Sequence, residues 1–89
     1  MKEIKADLIN VDLDLLIKKM ADNWLSELIP RTKVGEFTGG LISSKTMANL
    51  DSLGQGPPRI SCGRKTGYPK SSFCTWLKSR CVVRCSKEG

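Results

Sequence analysis

The 89-residue chain has no histidine. That removes imidazole as a general base, and with it histidine-based catalytic triads and most catalytic metal sites. No Gly-rich phosphate loop and no dinucleotide fingerprint is present. No apolar run reaches the ~18–20 residues that a membrane-crossing helix needs. Aromatic residues are few: two Trp, two Phe and one Tyr. Nothing assembles a nucleophile, a base and an oxyanion donor, so the sequence predicts no enzyme, no cofactor and no small-molecule substrate. Its opening residues, Met1-Lys2-Glu3-Ile4-Lys5-Ala6-Asp7, lead into no uncharged apolar stretch. No export signal is expected, and the expected location is the cytoplasm.

What is present points to one small domain. A chain this short buries little more than ~60% of its unfolded surface and leans on a partner or on self-association for extra stability. Its 39% hydrophobic content fits a folded domain. Four cysteines, Cys62, Cys74, Cys81 and Cys85, follow the spacing Cys-x11-Cys-x6-Cys-x3-Cys. In a cytosolic chain they stay reduced. The spacing lacks the Cys-x2-Cys knuckle of compact zinc sites, so small buried apolar side chains are expected rather than metal ligands.

Charge is divided unevenly. Net charge is +6. Residues 1–30 carry four Lys against six carboxylates, a net −2. Residues 31–89 carry eleven Lys or Arg against Glu36, Asp51 and Glu88, a net +8. A polyanion is the expected partner of the second part. A merely solvated basic surface is the competing reading, and charge alone does not separate the two.

The patterning supplies the elements. Leu13, Leu16, Ile17, Met20, Trp24, Leu25 and Leu28 recur at spacings of three and four, which predicts an amphipathic helix over 12–29. Asp12 or Asn10 caps its start, and Pro30 disfavours helix at Ile29. Its stripe reads as core packing, with dimerisation as the other option. One or two helical turns follow over 31–36, ended by Gly39-Gly40. Ser43-Ser44 supplies a hydroxyl cap for a helix over 44–53, with Met47 and Leu50 on one face and Leu53 or Leu41 nearby. Gly54, Gly56 and Pro57-Pro58 end it. Ile60 to Cys62 and Thr66 to Tyr68 form a hairpin with Arg64 and Lys65 at its tip. Pro69 opens a last helix that carries Phe73, Trp76, Leu77 and Cys81 on one face. The tail 82–89 has no clear assignment.

In that order the basic part presents Lys45, Thr46 and Asn49 near a helix start, with Arg59, Arg64 and Lys65 on the adjacent hairpin. Short polar side chains at a helix start suit base edges in the major groove, where Asn pairs two-fold with adenine. The hairpin cations suit phosphates or the minor groove. Singly, each of these residues reads as a solvated surface position. The ordered set together with the charge asymmetry favours DNA.

The segment 43–60, then Gly63-Arg64-Lys65, Tyr68-Pro69 and Trp76-Leu77-Lys78-Ser79-Arg80, resembles the small MerR-like winged-helix proteins, which include phage excisionases and prophage helix-turn-helix regulators. The resemblance spans roughly 31–80. It implies a recognition helix with Ser44, Lys45, Thr46, Asn49 and Asp51, a wing with Arg59, Arg64 and Lys65, and a core with Tyr68, Trp76 and Leu77. Lys70, at the wing's end, joins the candidate DNA contacts. Two features depart from the pattern: Gly35 in a short first helix, and the extra acidic N-terminal helix.

The expected architecture is therefore a mostly α winged helix-turn-helix with a short β-hairpin plus an N-terminal amphipathic helix. Residues 1–30 form a brace or interaction helix, 31–81 a DNA-binding domain and 82–89 a tail. The expected role is double-stranded DNA binding in recombination or transcription regulation, with self-association on DNA or a recombinase or regulatory protein as further partners and no membrane partner. Two rivals remain: a protein-interaction adaptor or small inhibitor using the 12–29 stripe, and a single-strand or RNA binder, which needs exposed aromatics for stacking.

Overall fold

A computed structural model describes residues 12–84. In chain order the elements are helix α1 (Leu13–Asp22), strand β1 (Leu28–Pro30), a 3-10 turn (Arg31–Lys33), helix α2 (Val34–Phe37), helix α3 (Ser44–Ser52), strands β2 (Ile60–Cys62) and β3 (Lys65–Pro69), and helix α4 (Lys70–Arg80). The three strands form an antiparallel sheet in the order β1-β3-β2. The fold is thus mixed α/β rather than mostly helical.

The difference arises at 23–30. α1 starts where the Asp12 carboxylate accepts from the Leu15 amide, but it stops at Asp22 instead of running to 29. Beyond it the Trp24 indole N–H donates to the Leu28 carbonyl, and the Ser26 hydroxyl accepts from the Leu28 amide. These local bonds turn the chain into β1, where Ile29 pairs with Tyr68 and Pro30 with Gly67. Ile29 points inward and is fully buried, while Leu28 and Pro30 face out. The apparent helical spacing of Leu25 and Leu28 is a coincidence of composition: Leu25 is 95% exposed. Pro30 lacks an amide proton and tolerates an edge strand, which β1 is.

One core joins the four helices with β1 and β3, whereas β2 and the 3-10 turn bury no side chain in it. Ile17, Ile29, Val34, Phe37, Met47, Tyr68, Phe73 and Leu77 are buried together, with Leu13, Met20, Trp24, Ile42, Leu50 and Trp76 packed against them. Residues 13–30 therefore share their core with the basic segment. Leu16 and Leu53 from the predicted stripes stand about half to two-thirds exposed, and Leu41 still more so. All five aromatic rings form a chain of contacts: Trp24 on Phe37, Phe37 on Phe73, and Phe73 on both Tyr68 and Trp76, with centroids 5.4–5.6 Å apart. Such pairs add roughly 0.5–1.5 kcal/mol each beyond area burial.

The turn between α2 and α3 is built around Thr38. Its buried hydroxyl donates to the Val34 carbonyl and accepts from the Ile42 amide. Gly39 (φ 67°) and Gly40 (φ 91°) then reverse the chain in a backbone region that L side chains rarely adopt. α3 opens with the Ser43 hydroxyl accepting from the Thr46 amide at 3.1 Å. It closes in a Schellman motif, with Gly54 N–H on the Asp51 carbonyl and Gln55 N–H on the Leu50 carbonyl.

Candidate nucleic-acid interface

α3 buries one side and leaves the other free. Met47 is fully buried and Leu50 half-buried, which fixes the helix on the core. Ser44, Lys45, Thr46 and Asn49 are all exposed. The first turn of α3 carries no acidic residue. Thr46 is not wholly free: its hydroxyl accepts a bond from the Ser43 hydroxyl at 3.0 Å, within the cap.

Asp51 stands apart from these neighbours. The resemblance groups it with the reading residues, yet it lies on the buried side of α3, 6% exposed. Its Oδ2 accepts from Arg31 Nη2 at 2.6 Å and from the Tyr68 hydroxyl at 2.7 Å. Arg31 Nε also donates to the Tyr68 hydroxyl at 3.0 Å, which closes a three-residue ring. Bonds to Tyr68 and then Asp51 raise the Arg31 pKa above its ordinary value. Burial, helped by the bond to Asp51 and opposed by Arg31, raises the Tyr68 phenol. Arg59 Nη1 approaches the other carboxylate oxygen, Oδ1, at 3.8 Å. One carboxylate thus ties the end of α3 to the 3-10 turn, to β3 and to the base of the hairpin.

The hairpin pairs Ile60 with Gly67, Ser61 with Thr66 and Cys62 with Lys65. Its tip is Gly63-Arg64, so Lys65 is the first residue of β3 rather than part of the loop. Arg59, Arg64 and Lys65 are exposed. Lys70 is a correction to the expected cation set. Its ammonium donates to the Ala21 carbonyl at 3.0 Å and the Trp24 carbonyl at 2.8 Å, so it closes the C-terminal end of α1 and is not a free surface charge. The last helix begins at Lys70 with no side-chain cap.

Sequence reasoning missed Lys33, whose exposed ammonium lies beside Arg64 and Lys65 along a groove. A three-residue 3-10 turn carries no periodic signal that would single it out. Among the described residues no three His, Cys, Asp or Glu side chains gather as a metal site would require. Cys62 is exposed on β2, whereas Cys74 and Cys81 are half-buried on and just after α4; Cys85 lies outside the described residues. Also among the described residues, no helix is long and apolar enough to cross a membrane.

No family model, curated protein or solved structure matches this chain. The functional reading therefore rests on the chemistry of the exposed residues.

Proposed function

We propose that this chain is a double-stranded DNA-binding protein of excisionase or transcriptional-regulator type, a winged helix-turn-helix with α3 as recognition helix and the β2–β3 hairpin as wing. The observation that carries this reading concerns the carboxylates. From residue 37 to residue 84 the sequence holds eight Lys or Arg and one carboxylate, Asp51. That carboxylate is buried against Arg31 and Tyr68, so, Lys70 apart, the stretch offers solvent its cations and no anion of its own. Lys45, Arg64 and Lys65 then face a polyanion without an internal competitor, and exposed Arg59 does so with only a 3.8 Å approach to the buried Asp51.

The polar set on α3 supports base reading rather than backbone binding alone. Asn49 presents an amide that pairs with adenine, and Ser44, Lys45 and Thr46 flank the helix start that enters a major groove. The protein acts by occupancy: it binds the duplex and changes what other proteins do there. Stacking on single strands is disfavoured, because all five aromatic rings are engaged with one another.

A salt titration on random duplex pools tests the proposal. Affinity should fall steeply and linearly on a log–log plot, and Arg64→Glu with Lys65→Glu should flatten the slope. A salt-insensitive duplex affinity unchanged by those substitutions would overturn it.

One observation favours a second reading, a protein partner. Leu16 and Leu41 border a groove of about 480 Å³ between α1 and the α2–α3 turn, with Met20, Trp24 and Phe37 within it. A partner held there would stay bound at high salt and would ignore changes at Arg64.

A further inference from the structure

The hairpin cations do not stand alone. Beneath Arg64 and Lys65 runs a groove of about 330 Å³, closed on its other side by the 3-10 turn, with Arg31, Thr32, Lys33 and Thr66 completing its lining beside Pro30. Four of these side chains are cationic, two carry hydroxyls and none is a carboxylate. We infer that this groove is a phosphate-binding site formed jointly by the hairpin and the 3-10 turn, with Lys33, Arg64 and Lys65 as its charged contacts and Thr32 and Thr66 as hydroxyl donors.

Its charge is only partly engaged elsewhere. Arg31 spends Nε and Nη2 on Tyr68 and Asp51. That brace fixes the 3-10 turn in place, so the groove wall does not depend on a ligand for its shape. Lys33 reaches Glu36 at 3.7 Å, but both side chains are more than half exposed. An exposed pair of this kind contributes little and yields readily to a dianion or a phosphodiester. Arg64 and Lys65 have no carboxylate within ion-pair distance among the described residues. Arginine offers a planar fork that matches phosphate oxygens, and lysine a mobile point charge. Hydroxyls and amide groups complete phosphate contacts in the same way across many proteins.

The recognised group is a tetrahedral phosphate. In the proposed function it is a backbone phosphodiester of the duplex, and the inference rests on that reading for its source. The chemistry also fits a free phosphate ion, and the test separates the two. Lys33 and Thr32, from a different part of the chain than the hairpin, hold the same anion as Arg64 and Lys65.

The experiment has two arms on the full chain. In the first, amide resonances are followed while inorganic phosphate replaces chloride at constant ionic strength. Thr32, Lys33 and Thr66 should shift together in wild type, and much less in Lys33→Gln. In the second, duplex affinity is measured against salt for wild type, Lys33→Gln and Asn49→Ala. Lys33→Gln should flatten the slope by about one unit, as the loss of one phosphate contact does. If phosphate shifts those resonances but duplex does not bind, the groove takes a free phosphate and the DNA reading fails. If duplex binds and Asn49→Ala weakens it, while Lys33→Gln leaves slope and resonances as in wild type, the groove assignment is overturned and the DNA reading stands. If neither ligand acts, both are wrong.

Discussion

Gly56 crosses the Asp51 carboxylate so closely that a β-carbon at position 56 would lie 1.9 Å from Oδ1 and 3.1 Å from Cγ. The Gly-x-Gly-Pro-Pro break is therefore more than a helix stop. Its second glycine lets the backbone seal Asp51, and the next residue, Pro57, is fully buried beside it. The carboxylate cannot swing aside cheaply, since Arg31 and Tyr68 hold its other oxygen.

Gly56→Ala should destabilise the fold by about 1–3 kcal/mol, as over-packing does. Asp51→Ala should cost about 3 kcal/mol, the low end for breaking a buried pair, because Arg31 keeps 28% side-chain exposure. The two effects should be strongly non-additive in urea denaturation, because removing the carboxylate removes the clash. Additive costs would mean that Gly56 is needed for its backbone alone.

Asp51 also shows what the sequence could and could not disclose. The caps, the glycine turn, the α3 core face and the hairpin follow from local rules, and Ser43, Gly39-Gly40 and Met47 sit where such rules put them. Asp51 looked like one more polar residue on an exposed helix face. Its burial depends on Arg31 and Tyr68, which lie 20 and 17 residues away. Lys70 misleads in the same way, because its acceptors at Ala21 and Trp24 come from the far end of the chain. β1 was hidden because three residues, Leu28–Pro30, are too few for alternation to outweigh an overlapping helical spacing. Long-range partners decided each of these, and local pattern has no access to them.

Lys70→Met should lower stability by roughly 1–2 kcal/mol through the lost charged bonds to the α1 carbonyls. It should leave the salt slope of duplex binding near that of wild type. A flattened slope with unchanged stability would instead return Lys70 to the interface.

Tyr68 makes stability fall at alkaline pH. Burial chiefly, with the bond to Asp51, holds its pKa above the ordinary value of 10.0. A raised folded pKa means that the native state keeps the proton more tightly than the unfolded chain. The stabilisation is present below pH 10 and is lost as pH rises through the folded value. Tyr68 is the chain's single tyrosine, so phenolate absorbance reports it alone. Tyr68→Phe should be less stable at neutral pH by about 1–2 kcal/mol and should lose the phenol's share of the alkaline decline. An ordinary phenol titration in the folded protein would refute the assignment.

Asn49 is the residue on which base reading stands or falls. It lies one helical turn after Lys45, exposed on the side of α3 away from the buried Met47. Among the described residues its side chain makes no hydrogen bond within the protein, whereas the Thr46 hydroxyl already accepts from Ser43. The Asn49 amide is thus free to form two bonds with an adenine edge, worth ~1–3 kcal/mol of discrimination. Asn49→Ala should reduce affinity for a duplex selected from a random pool by that amount and leave random duplex binding nearly unchanged. Thr46→Ala should act in the same direction but less, because a single hydroxyl makes no paired contact. Melting temperature should barely move for Asn49→Ala, since exposed positions of this kind usually change stability by under ~0.5 kcal/mol. Should selected and random duplexes lose affinity equally, α3 follows the phosphate backbone and sequence preference comes from DNA shape. Should the protein instead unfold, the Asn49 side chain has a structural role and the reading face lies elsewhere on the helix.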